Sequence, residues 1–277
     1  MHASLLFVSG LLASAWAAPT YPQVPDVSVP ENIRAISDYF NLLAGKVQES
    51  RQLTFAPTCD LSKVTLPAGK TSLSPSLYPS LKNISLTPSP GAASLPPPSP
   101  GLTLKHIAIG RGTQNYTCAD ASASTAPVAT GAVATLFNAT CVVATNPDLA
   151  AALARAALHF PLSQIKAAQR LSPSNLAVSG LHFFTSNPGS VPFFNLDVSS
   201  EWKLGVLPCG KAGSVAAPES AAKGLGGEPA VAWLKLDAKP GATGGLQEVY
   251  RVETVGGSAP KTCEGMKGEF EVQYATE

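Results

Sequence analysis

Residues 230–263, AVAWLKLDAKPGATGGLQEVYRVETVGGSAPKTC, decide how this chain is read. Trp233, Leu234 and Leu236 form one apolar run, and Val249, Tyr250 and Val252 form the next. Between them lies a turn rich in glycine, and a cysteine closes the stretch. That is the pattern of two strands joined by a reversal. Upstream the same rhythm recurs: strands are expected at 102–109, 114–118, 132–137, 177–185, 192–198 and 202–206, and downstream at 270–274. Gly110-Arg-Gly112 is read as a turn between the first two, and Asn146-Pro-Asp-Leu as the start of one short helix ending near His159. Many short strands between Gly and Pro punctuation predict a mainly β domain, an antiparallel sandwich or barrel.

Composition supports that class and removes others. The chain has 277 residues, with 23 glycines and 25 prolines, so turns dominate and long helices are few. Its net charge is +1 with 13% charged residues, which leaves no basic footprint for a nucleic acid and no charge run for an anionic membrane.

The N-terminal MHASLLFVSGLLASAWA has a short apolar core and small residues at Ala15 and Ala17, the pattern of a signal peptide cut between Ala17 and Ala18. The apolar run is far short of the roughly 20 residues that a membrane span needs. A secreted, extracellular protein is expected. Residues 18–53 then form an extended lead-in and an amphipathic helix carried by Ile33, Ile36, Phe40, Leu43 and Val47. Residues 54–101 are a Pro/Ser-rich linker that buries too little apolar surface to offset its ordering entropy. The β domain occupies 102–277.

Five cysteines, Cys59, Cys118, Cys141, Cys209 and Cys263, follow the signal peptide, so in an oxidising compartment most pair and at least one does not. None is spaced for a structural zinc site, and no metal or cofactor is expected. Asn83, Asn115 and Asn138 each open an Asn-x-Ser/Thr acceptor for glycosylation.

Catalytic signatures fail one by one. Gly110-Arg-Gly112-Thr-Gln-Asn115 begins like a dinucleotide fingerprint but lacks the third glycine and leads into Tyr-Thr-Cys rather than a helix. Residues 205–212 nearly spell a phosphate loop, yet end in Ala212 where a hydroxyl should hold magnesium, and contain Pro208. His182, flanked by aromatics, is the one candidate general base, with Asp197 as its carboxylate. A buried histidine satisfied by a single hydrogen bond is the simpler reading. Scattered carboxylates give no spacing from which to argue a glycosidase pair.

Four stretches carry a family resemblance: LKHIAIGRGTQNYTC (104–118), GLHFFTSNPGSVPFFNLD (180–197), VAWLKL (231–236) and VYRVETVGGSAPKTC (249–263). In these the sequence resembles domain-of-unknown-function family 3455, from about residue 102 to the end. The resemblance implies a mainly β domain with no established activity. Some members carry a malate dehydrogenase label, which no intact motif here supports. It also implies that Cys118 bonds Cys263, since both fall inside shared stretches. Members continue beyond this point with Tyr and Trp or Phe, so the last strand is expected to be cut short and to leave an unpaired edge.

The leading functional expectation is a non-catalytic binding protein for a glycan, a small apolar ligand or a host component. Phe184, Phe193 and Trp233 are the expected lining of its cavity. An extracellular hydrolase or lyase using His182 with Asp197 is the alternative, and a structural or effector-like surface protein with no pocket is the third.

Overall fold

The computed structural model describes residues 59–64, 94–147, 149–163, 170–171, 174, 176–186, 190–198 and 202–277. The expected signal peptide, the expected N-terminal amphipathic helix, most of the Pro/Ser segment and Asn83 lie outside the described residues. Ten strands follow in order: β1 (Ala108–Cys118), β2 (Val128–Asn138), β3 (Arg170–Leu171), β4 (Leu176–Thr185), β5 (Val191–Asp197), β6 (Lys203–Val215), β7 (Trp233–Ala238), β8 (Glu248–Arg251), β9 (Val255–Gly256) and β10 (Gly268–Thr276). Two helices, α1 (Thr140–Thr145) and α2 (Leu149–Leu158), lie between β2 and β3.

All of it is antiparallel. The order across the sheet is β8-β7-β6-β5-β4-β2-β1-β10-β9, with the short β3 beside β4. Sequential strands are neighbours almost throughout, as short connections favour. The sheet curls into a half-barrel, and its two end strands are consecutive pieces of one chain segment. In that segment Arg251 pairs with Leu234 of β7. A few residues on, Gly256 pairs with Tyr274 of β10 and Val252 exchanges both backbone hydrogen bonds with Glu277, each at 3.0 Å. Gly257 meanwhile bridges Ala230. The last strand is thus paired on both sides at its C-terminal end, where β9 covers Tyr274 and Ala275.

One row of paired positions shows how the inside is built. It runs Gly256, Tyr274, Gly112, Ala134, His182, Phe194, Leu207 across seven strands. Tyr274 and Ala134 touch Val231 from across the sheet, which is possible only on a concave face. Gly112 is required there. A Cβ would lie 1.8 Å from the carbonyl oxygen of Val133 and 2.6 Å from the Ala134 Cα. Gly110-Arg-Gly112 is therefore the middle of β1 and not the turn that two glycines suggest, because these glycines serve a close approach between strands.

Arg111 points the other way, onto the convex face, where α2 packs against β1 and β10. Eight of the ten residues of α2 are buried, five of them alanines whose small side chains let the helix sit close. Arg111 is 1% exposed. Its guanidinium donates to the carbonyls of Ala157 (3.0 Å) and Leu158 (3.3 Å) at the helix C-terminus, and to the side-chain oxygen of Gln273. Burial lowers its pKa to about 10. The cation still sits where helix-end carbonyls concentrate negative charge.

The helix α1 was not expected. Its sequence, TCVVAT, is rich in β-branched residues, yet Cys141 within it bonds Cys59 (Cα–Cα 5.1 Å). The second disulfide joins Cys118 to Cys263 (Cα–Cα 5.7 Å), the pair that the family resemblance implies. Cys209 is free and fully buried in a cluster with Leu207 and Leu236. Burial pushes its thiol up to about 12. Only the thiolate reacts readily, so iodoacetamide at neutral pH is expected to leave Cys209 unmodified until the chain is unfolded. Peptide mass spectrometry reads this directly, and rapid native labelling would contradict it.

The linker also ends earlier than its composition suggests. Lys235 Nζ donates to the Pro97 carbonyl and pairs with Glu248, both at 2.9 Å. Tyr250 donates to the Pro96 carbonyl, and the Ser99 hydroxyl donates to Glu248. A polyproline stretch exposes unpaired carbonyls at regular spacing, and β7 and β8 supply donors for them. The body therefore includes 95–100.

Candidate functional site

The cavity expected from Phe184, Phe193 and Trp233 does not form. Phe183 pairs with Phe193 across β4 and β5, their rings 5.2 Å apart. His182 pairs with Phe194, stacked at 4.3 Å, and Phe184 packs on the same histidine. Successive side chains on a strand alternate faces, so Phe184 lies on the concave face and Phe193 on the convex one. Trp233 is buried at the start of β7, two strands beyond β5, with its indole nitrogen unpartnered.

His182 and Asp197 are not brought together either. His182 Nδ1 donates to the Phe193 carbonyl at 3.1 Å, which leaves Nε2 unprotonated. Burial lowers its pKa to about 4, so it is neutral. The carboxylate of Asp197 is exposed and accepts from the Gly205 amide at 2.7 Å. It sits three residues along β5 from the partner of His182, roughly 10 Å at strand rise. The hydrolase reading has no base–carboxylate pair behind it.

Two other features stand out. The first is a groove of about 270 Å³ lined by Asn115, Tyr116, Thr130, Glu269, Phe270 and Glu271. It is assembled by register. Tyr116 pairs with Phe270 and Asn115 with Glu271 along β1 and β10, so the two rings, stacked 5.5 Å apart, share the concave face while Asn115, Glu269 and Glu271 project from the other. On the β2 side Asn115 pairs with Gly131 and Tyr116 with Ala129, so Thr130 is the extra residue of a β-bulge. A bulge re-aims a side chain, and here it directs Thr130 into the groove.

The second is a buried polar cluster on the concave face. Tyr116 donates its hydroxyl to the Gly257 carbonyl at 2.8 Å. Arg251 Nη2 donates to the Ala232 carbonyl at 2.8 Å, and burial lowers the arginine's pKa. Burial raises the pKa of both Tyr116 and Tyr274, and the nearby positive charge of Arg251 partly opposes this. Gln114 borders Gly257 and Tyr274. Its Nε2 and the Nε of Arg251 are buried without a hydrogen-bond partner.

At the margin where Val252 meets Glu277, burial first and then the charge of Glu253 push the Glu277 carboxyl up to about 8. Glu253 holds a left-handed backbone at φ 46°. Among the described residues no group of His, Cys, Asp or Glu is arranged to hold a metal, and no helix is long and apolar enough to cross a membrane.

The family model described as "Protein of unknown function (DUF3455)" matches residues 98–277. The chain belongs to that family. The match begins at Pro98, inside the stretch that Lys235, Glu248 and Tyr250 hold against the sheet. No curated protein and no solved structure matches the chain. For this DUF3455 member the groove and the concave cluster are the guides to function.

None of the groove residues was singled out as a binding residue by sequence alone. By sequence Asn115-Tyr-Thr117 reads as a glycosylation acceptor, and Phe270 as a strand residue. Strand pairing between β1 and β10, about 150 residues apart, brings them together.

Proposed function

We propose that this chain is a secreted, non-catalytic binding protein whose groove receives one neutral sugar unit of a glycan. The observation that carries this is the lining of that groove. Phe270, half-buried where its ring stacks on the buried Tyr116, borders the groove and offers apolar surface to the C–H face of a sugar ring. Asn115, Thr130, Glu269 and Glu271 supply the donors and acceptors that ring hydroxyls need. The two carboxylates disfavour an anionic ligand. The volume lies just below the roughly 300 Å³ at which small-molecule pockets begin, which suits a single ring better than a long chain. The signal-peptide pattern and the two disulfides support an extracellular setting.

Titrating soluble cell-wall oligosaccharides into the secreted protein by calorimetry tests the reading. Binding is expected, and Phe270→Ala is expected to weaken it by about tenfold, the loss of roughly 1 kcal/mol of aromatic contact. Equal binding by Phe270→Ala would sink the proposal. So would a glycan found attached to Asn115, because it would occupy the groove itself.

A further inference from the structure

We propose that the concave face holds a separate oxyanion site at Arg251, which takes the carboxylate group of a small organic acid or an inorganic phosphate. Four observations lead there. Arg251 lies on the concave face, opposite Leu234, which packs with Leu207, Cys209 and Phe194. Among the described residues no carboxylate forms an ion pair with it. Its Nε–H has no acceptor, and the Nε2 of Gln114, a side chain only 8% exposed, has none beyond the nearby Tyr274 hydroxyl. Gln114 shares that face, two positions along β1 from Gly112.

Arg251 as a residue is only partly buried, but its Nε has no accessible surface, and buried donors are almost always paired. Both orphans here are donors, so the missing partner is an acceptor. It is also an anion, because Arg251 is the only charged member of the cluster. His182, Tyr116 and Tyr274 are neutral near pH 7, and no acidic side chain of the cluster balances the guanidinium. An oxyanion accepting from Arg251 Nε–H satisfies the charge, and a second oxygen can accept from the Gln114 amide. Charge-assisted bonds of this kind are about twice as strong as neutral ones. The site is chemically unlike the groove, whose carboxylates repel the same ligand.

The test uses the full secreted protein with both disulfides intact. Thermal unfolding is followed with sodium acetate, succinate or phosphate, each against chloride at equal ionic strength. A ligand that binds only the folded state raises the melting temperature in proportion to the logarithm of its concentration. At least one oxyanion is expected to do so where chloride does not, and the series identifies whether an organic acid or phosphate is preferred. Arg251→Gln is expected to weaken that binding by at least about tenfold, and Gln114→Leu by a smaller factor. If Arg251→Gln does not fold, Arg251→Lys serves, since it keeps the charge and loses the Nε donor, and weaker binding is again expected. No stabilisation beyond chloride by any of the three, or undiminished binding in the arginine variants, overturns the proposal.

Discussion

Arg111→Met is expected to destabilise the fold by about 3 kcal/mol or more. Methionine fills a similar volume, so the cost comes from hydrogen bonding rather than from a cavity. The guanidinium serves the carbonyls of Ala157 and Leu158 where α2 ends, the carbonyl of Gly112 at 3.0 Å and the Gln273 side chain. Removing it leaves several buried acceptors without donors, each costing about 1–3 kcal/mol in isolation and less where the helix end relaxes. Arg111→Lys keeps the charge but offers a compact ammonium in place of a planar fork, so an intermediate loss is expected. The midpoint of urea unfolding measures both. A midpoint for Arg111→Met equal to wild type would show that α2 is not anchored through this residue.

The second large effect is expected from the Cys118–Cys263 bond. It spans 145 residues, against 82 for Cys59–Cys141. On the chain-entropy model a closed loop of that length is worth about 5 kcal/mol, nearly all through restriction of the unfolded chain. The native contacts need it little: β1 and β10 already pair over nine positions, from Gly110 with Thr276 to Cys118 with Gly268. The double variant Cys118→Ser, Cys263→Ser is therefore expected to retain the same sheet by circular dichroism while its unfolding midpoint falls steeply. Retained stability would mean that the unfolded state is already compact without the bond. Loss of the sheet itself would mean that the bond shapes the native structure.

Much of the fold was legible because its signals are local. The strands β4 and β5 form within one residue of where they were expected, and Gly/Pro runs mark most turns. The misreadings share a cause, which is a partner distant in sequence. Gly110 and Gly112 look like a turn, yet Gly112 exists to let Val133 and Ala134 pass close by. TCVVAT has strand propensity, but it forms α1 between Cys59 and the end of β2. Tertiary context overrides so weak a preference. Residues 95–100 have a linker's composition, and only the donors of β7 and β8 reveal why they are held.

The candidate site was less legible still. Phe184 and Phe193 invite grouping as apolar neighbours, but Phe183, not Phe184, pairs with Phe193, and that single offset places the two on opposite faces. Arg251 stands in the stretch Val249-Tyr-Arg-Val252 with nothing to mark its Nε as shut off from solvent. Its place beside Tyr116 and Tyr274 becomes visible only once the sheet curls. Tyr116 and Phe270 meet through strand register alone.

The most direct measurement is a map of backbone amide shifts in the ¹⁵N-labelled protein as a neutral cell-wall oligosaccharide is added. The shifts are expected to cluster at Asn115, Tyr116, Thr130 and 269–271, with the amides of Phe183 and Phe193 unmoved. Shifts centred on those two convex-face phenylalanines, or none at saturating sugar, would contradict a binding function seated in this groove.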